Sequence, residues 1–171
     1  MFDLLSPFYH ETTGKRELIR DSLDSISGLS SLNASTSNSD VILKNLSLSG
    51  HLFVRSSNGS IRLSDTQIGS AELTTSNGDI ELTRLSSQGS LSAKTSNAAI
   101  RLERLQTSQG DIQLESSNGP IEGSILGRAS SFDIRSSTSN AGNNLSDIGS
   151  GGPQRLTVRT SNGAIRVNFV Q

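Results

Sequence analysis

Residues 74–82 read TTSNGDIEL. Asn-Gly between two alternating apolar and polar runs is the strongest short-range signal for a β-hairpin. The phrase does not stand alone, because RSSNGSIRL, KTSNAAIRL, ESSNGPIEG and RTSNGAIRV repeat it along the chain. The fold turns on whether each copy closes its own hairpin or forms one corner that stacks on the next.

The Asn of the phrase falls at Asn38, Asn58, Asn77, Asn97, Asn118, Asn140 and Asn162, with successive spacings of 20, 19, 20, 21, 22 and 22. Such a period is the signature of a repeat architecture. Apolar residues recur six and four positions before the Asn, as Leu52 and Val54 or Leu91 and Ala93. They recur again three and five positions after it, as Ile80 and Leu82 or Ile100 and Leu102. Two positions before it stands a hydroxyl residue in every copy, among them Thr75, Thr95 and Thr160. Period-2 alternation makes each repeat two short strands with alternate side chains inward. A third short side, as at Leu85 or Leu105, leads to the next copy.

A meander, sandwich or up-and-down barrel would pair neighbouring strands antiparallel and leave no reason for polar positions to recur as regularly as apolar ones. A β-solenoid stacks equivalent residues in parallel, about 4.8 Å apart. An inward Asn at each corner could then bond to its counterparts above and below, as in cross-β ladders, with a Thr/Ser column beside it. The site after the Asn (Gly59, Gly78, Gly119, Gly163, with Ala98 and Ala141) suits a corner with positive φ. The outward column Ile42, Arg62, Glu81, Arg101, Glu122, Arg166 alternates in charge, and parallel stacking sets opposite charges side by side. The expected fold is therefore all-β: a single-stranded, right-handed parallel β-solenoid (β-helix) of about seven coils of roughly twenty residues. The sixth copy, SFDIRSSTSNAGNNLSD, has Asn143 where Ile is expected and reads as a looser rung followed by the loop GSGGPQ. Residues 14–27, GKRELIRDSLDSIS, could place Leu18, Ile19, Leu23 and Ile26 on one stripe, which predicts a short capping helix. The domains are then 1–27, an N-terminal segment, and 28–171, the solenoid, whose C-terminal rung is expected to end uncapped and to offer a homo-oligomer contact.

The phrase [ST]-S-N-G-x-I-x-[LV] with Gly-x-Leu openings, carried over about residues 28–171, resembles the adhesin-like domains of unknown function of bacteria and some fungi. That resemblance implies a β-solenoid with a surface or scaffolding role, and it brings no catalytic residues with it. Residues 1–27 lie outside it.

Composition narrows the function. A net charge of −1 with 4% aromatic residues gives nucleic acid neither an electrostatic footprint nor stacking platforms. Serine supplies about a fifth of the chain, far above ordinary usage, yet the apolar register separates it from a disordered linker. There is no cysteine, which removes thiolate chemistry. No stretch reaches membrane-spanning length, and the N-terminus has no apolar h-region. Asp40, Asp79 and Asp111 recur near turns and read as solvated turn residues. The nine Asp and seven Glu contain no pair that the sequence marks as a glycosidase dyad. His10 and His51 lack metal-ligand spacing. GSGGP at 149–153 lacks the Lys-Ser/Thr of a phosphate loop. Sequons begin at Asn33, Asn45, Asn58 and Asn144; Asn58, as a ladder member, is expected to be shielded.

The expected function is a non-catalytic, adhesin-like scaffold with no cofactor and no metal. Its partners would be a protein or a cell-surface glycan, with no nucleic acid and no membrane insertion. The expected place is outside the cell or on its surface, an intracellular one remaining open. The alternative is a carbohydrate-binding or carbohydrate-active β-helix, for which Phe53 is the one outward aromatic candidate.

Overall fold

The computed structural model describes residues 30–145 and 151–171; the helix expected over 14–27 and the domain boundary at 27/28 lie outside them. Each copy of the phrase but the sixth places one strand before its corner and one after it; the sixth has, among the described residues, a strand only before its corner. The first five coils contribute β1 (Leu32–Ser35) and β2 (Val41–Lys44), β3 (His51–Arg55) and β4 (Ile61–Ile68), β5 (Ser70–Thr74) and β6 (Ile80–Ser87), β7 (Leu91–Thr95) and β8 (Ile100–Thr107), then β9 (Ile112–Ser116) and β10 (Ile121–Leu126). A 3-10 turn at Ala129–Ser131 leads to β11 (Phe132–Ser137), and the chain ends with β12 (Gln154–Arg159) and β13 (Ile165–Val170). Among the described residues there is no α-helix.

Among the described residues all pairing is parallel, in two sheets that form the walls of a β-solenoid. Leu52 lies beside Leu32 and Ala71, and Ile80 beside Ile61 and Ile100, so like residues stack coil on coil. These inward columns form one continuous core, with Leu52, Val54, Ile61, Leu73, Ile80, Leu82, Ile100 and Ile112 fully buried. Burying a Leu or Ile side chain contributes about 1.5–3 kcal/mol, and every coil contributes several. The core is closed on its third side by a bend within the long strands. Inward positions run Ile61 and Leu63, then skip to Thr66 and Ile68. The phase break falls at a residue in the left-handed region: Asn45 (φ 52°), Asp65 (φ 52°), Arg84 (φ 49°) or Arg104 (φ 54°). Asn and Asp enter that region readily. Arg does not, at a cost of about 1–3 kcal/mol, and Arg84 holds Asp65 in a two-pronged ion pair at 2.6 Å across this column.

The order of the last two coils departs from the sequence. The first sheet runs β1-β3-β5-β7-β9-β12-β11 and the second β13-β10-β8-β6-β4-β2. The seventh copy is thus inserted between the fifth and the sixth. In the C-terminal coil β12 is interior, and β13 is the edge strand of its sheet, covered by the sixth copy through the Asn143–Ile165 bridge. The sixth copy forms the end of the stack, so the uncapped C-terminal rung is not what the structure contains. The polarity of the sixth copy explains this. Its Asn143 occupies the site of the buried Ile column and bridges Ile165. In a sequential stack it would lie between two apolar neighbours, whereas at the end only one side of it is covered. Asn144 next to it caps the edge of β13: its Oδ1 accepts the Val167 N–H and its Nδ2 donates to the Val167 carbonyl, both at 3.0 Å. The side-chain amide thereby substitutes for one residue of a neighbouring strand. Insertion also restores the charge register, because Glu122 now lies beside Arg166.

The order can be tested by cross-linking. Gln113 and Thr157 are partners across β9 and β12. Adjacent Cα atoms in a sheet fall within disulfide reach, so Gln113→Cys with Thr157→Cys is expected to cross-link under mild oxidation. Gln113→Cys with Arg135→Cys, neighbours only in a sequential stack, should not; efficient closure of that second pair would refute the insertion.

Candidate functional site

At each corner the alternation stops. Thr75 points inward and is buried, while Ser76 and Asn77 both face solvent because the chain bends between them. All seven ladder residues, Asn38, Asn58, Asn77, Asn97, Asn118, Asn140 and Asn162, are exposed. The expectation of an inward Asn, and with it the shielding of Asn58, is corrected: period-2 parity cannot be carried through a bend. The ladder itself is present. Asn58 Nδ2 donates to Asn38 Oδ1, Asn77 to Asn58 and Asn97 to Asn77, each at 2.7 Å. Asn118 continues it to Asn97 at 2.8 Å and Asn162 to Asn118 at 2.7 Å. Asn140 donates to Asn162 and closes the series at the end coil. Every amide points the same way along the stack.

The inward Thr/Ser column does not form a ladder of its own. Ser56, Thr75, Ser116 and Thr160 instead each join the corner backbones of two coils. Thr75 Oγ1 accepts the Gly78 N–H at 3.3 Å and donates to the Gly59 carbonyl of the preceding coil at 3.0 Å. Thr160 does the same with Gly163 N–H and Gly119 O, both at 3.1 Å, and Ser116 with Gly119 N–H at 2.9 Å and Ala98 O at 3.1 Å. Thr95 donates to Gly78 O at 3.1 Å. This contact brings the corners close together. A Cβ at Gly78 would overlap the carbonyl of Gly59, and one at Gly119 the carbonyl of Ala98. Glycine follows the Asn because of that approach. Gly59, Gly78, Gly119 and Gly163 are not among the positive-φ residues, which overturns the conformational reason expected from the sequence.

The outward column after the corner is a chain of ion pairs. Arg62 reaches Asp40 at 2.6 Å and Glu81 at 3.1 Å; Arg101 reaches Asp79 at 2.7 Å and Glu122 at 3.6 Å; Arg166 reaches Glu122 at 3.9 Å. Asp40 and Asp79 also pin register, for their Oδ1 atoms accept the N–H of the equivalent residue one coil on, Ser60 at 2.8 Å and Ala99 at 2.9 Å. Asp111 accepts the Arg155 N–H likewise at 2.9 Å. The Arg62 guanidinium, helped by the Ser60 N–H, holds Asp40 below the usual carboxylate range. Burial pushes Asp79 up, but Arg101 and the Ala99 N–H outweigh it and leave its pKa lowered. Burial at Glu115 is outweighed in the same way by Gln113 and Lys94.

The remaining candidates do not converge. His51 is exposed and shares a hydrogen bond of 2.9 Å with Ser70. His10 lies outside the described residues. Asn33 is exposed on β1 and Asn45 forms a left-handed corner. Phe53 is half-buried on the outer face, between Asn33 and Glu72. A shallow cavity of about 220 Å³ on the third side is lined by Ser47, Ser49, Gln67, Ser86 and Gln88 with Leu48 and Ile68. Among the described residues no group of His, Asp and Glu could hold a metal ion, and no helix is long and apolar enough to cross a membrane. The Asp65–Arg84 pair and the Asn144 cap escaped sequence reading. Asn45 and Asp65, seven residues after their ladder Asn, carried a left-handed signal, but Arg84 and Arg104 carried none.

Thr75→Val should be more costly than Asn77→Ala. The first strands a buried Gly78 N–H and Gly59 carbonyl, at roughly 1–3 kcal/mol, while the second frees exposed groups that water re-solvates, at about 1 kcal/mol or less. Chemical denaturation of the two variants should give that ranking. Because folding lowers the Asp40, Asp79 and Glu115 pKa values, the unfolded chain takes up protons first. The stabilisation is present above the unfolded value of about 4 and is lost as pH falls through the lower folded values. Unfolding followed from pH 7 downward is expected to show constant electrostatic support to about pH 5 and a decline below about pH 4, flattened in Asp79→Asn and in high salt.

Comparison with known proteins places the fold in a family. No curated protein matches the chain. No solved structure matches it either. The model of one family, described as Toastrack DUF4097, a domain of unknown function, matches residues 25–168. That span includes every corner of the Asn ladder, and the chain belongs to the Toastrack DUF4097 family.

Proposed function

We propose that this β-solenoid is a non-catalytic, adhesin-like scaffold that presents a rigid surface for binding or assembly, outside the cell or on its surface. The observation that carries this reading is the use of its carboxylates. Asp40, Asp65, Asp79, Glu81, Asp111, Glu115 and Glu122 are each bonded to an Arg, a Lys or a backbone N–H of an adjacent coil. A glycoside-cleaving β-helix needs two carboxyl groups held across a cleft with their pKa values set apart. Here these seven acids serve coil-to-coil register, spread over both sheets, the corners and the third-side bend. Such a stack is stiff, because displacing one coil breaks strand pairing, ladder and ion pairs together. Its partner would be a protein or a surface glycan.

A second reading, carbohydrate binding, is favoured by the third side, where Ser47, Gln67, Ser86 and Gln88 line a neutral hollow of hydroxyl and amide groups. Both readings are tested by coating beads with the full chain and exposing them to a panel of soluble and surface-bound polysaccharides and proteins. Saturable retention without product is the expected outcome. The release of new reducing ends would overturn the non-catalytic reading. Loss of glycan retention in Gln67→Ala with Gln88→Ala, at unchanged melting temperature, would assign the glycan to the third side.

A further inference from the structure

We propose that the four Asn-Gly corners, at Asn58, Asn77, Asn118 and Asn162, are latent self-modification sites, closed while the coils are stacked and opened when they separate. The chemistry needs no enzyme. The Gly backbone nitrogen, having given up its proton, attacks Cγ of the preceding Asn. A C–N bond forms, the side-chain nitrogen leaves as ammonia with a proton, and a succinimide remains. Water then adds to one of its two carbonyls and opens the ring to aspartate or isoaspartate. Glycine favours attack because it has no Cβ to obstruct the approach.

The fold withholds both reactants. The Gly nitrogens are buried, and their N–H groups are donated to Ser56 Oγ at 2.9 Å, Thr75 Oγ1 at 3.3 Å, Ser116 Oγ at 2.9 Å and Thr160 Oγ1 at 3.1 Å. Each of these four Asn side chains is held twice, through Nδ2 to one neighbour and through Oδ1 from the other. To bring Cγ onto the Gly nitrogen, both ladder bonds and the hydroxyl bond must break.

The placement of the reactive pairs is a second, independent observation. Asn-Gly occurs only in coils covered on both sides. The two coils at the ends of the stack of described residues, where fraying is easiest, carry Asn38-Ser39 and Asn140-Ala141 instead. The insertion of the last copy is what carries Asn162-Gly163 into the interior. Conversion is also one-way for the fold. An aspartate would set acceptor against acceptor in the ladder. An isoaspartate would lengthen the backbone at a corner where even a Cβ overlaps the adjacent coil.

The full chain is incubated at mildly alkaline pH, folded or in denaturant, and Asn, Asp and isoaspartate are separated by peptide mapping. In denaturant Asn58, Asn77, Asn118 and Asn162 should convert ahead of Asn38, Asn97 and Asn140. In the folded chain those four should convert at least about a hundredfold more slowly, in proportion to the open fraction of each coil. Chain aged in denaturant should fail to regain its β-sheet circular dichroism on dilution, while freshly denatured chain regains it. Folded conversion of the four pairs at the denatured rate, or full refolding of aged chain, would overturn the proposal. A folded Thr75→Val chain should convert faster at Asn77 and not at Asn162, and Thr75→Ser should restore protection. Unchanged conversion at Asn77 in folded Thr75→Val would overturn the role given to the hydroxyl. If that variant does not fold, the unsubstituted chain decides the matter by the first two comparisons.

Discussion

The hydroxyl two residues before each ladder Asn, buried at Ser56, Thr75, Thr95, Ser116 and Thr160, is the contact on which the rest of the solenoid depends. Because Thr75 Oγ1 joins Gly78 of its own coil to Gly59 of the coil before, the two corners come within backbone contact. That distance admits no side chain at Gly78. It turns Ser76 and Asn77 outward and brings successive Asn amides into bonding range. It also sets the register in which Arg62, Glu81 and Arg101 meet on the adjacent wall. A hydroxyl is the smallest group that can both accept from one backbone and donate to another, and Ser or Thr fills this position in all seven copies. Both are tolerated because only the hydroxyl is required.

The two walls were legible in the sequence because their code is local. Leu52, Val54, Ile61 and Leu63 are inward by simple alternation, and parallel stacking follows once polar columns are seen to recur with the apolar ones. The corner was half legible. The phrase marked the turn, but parity put Asn77 on the wrong side of the wall, and Gly78 was given a conformational reason when the true one is its neighbour's carbonyl. Both errors share a cause: a bend is a relation between coils, and one coil's sequence does not display it. The third-side bend was weaker still, since Arg84 and Arg104 adopt a left-handed geometry that their residue type opposes.

The order of the last two coils was the least legible feature. Copies six and seven carry the same T-S-N phrase, so either could sit on the fifth. The discriminating residues are few: Asn143 in place of an apolar side chain, and Arg166 as the partner of Glu122. Each is weak alone, as exposed ion pairs contribute at most about 1 kcal/mol. Together with the Asn144 cap they favour placing the most polar coil where one of its faces needs no cover.

The insertion has a consequence for biosynthesis. Translation delivers the terminal cap before the coil on which that cap rests, because β11 pairs with β12 and the residues of β12 are made later. A nascent chain that has released its first six copies therefore holds five that can accrete in order and a sixth without its proper seat. Vectorial zippering, the usual economy of a linear array, stops one step early: the seventh copy must reach back past the sixth to seat on the fifth, and only then can the sixth dock on the seventh. Such non-local closure is slow compared with adding a rung at an open end. The rate at which this molecule matures is thus expected to be governed by its final copy, although its stability is spread along the whole stack.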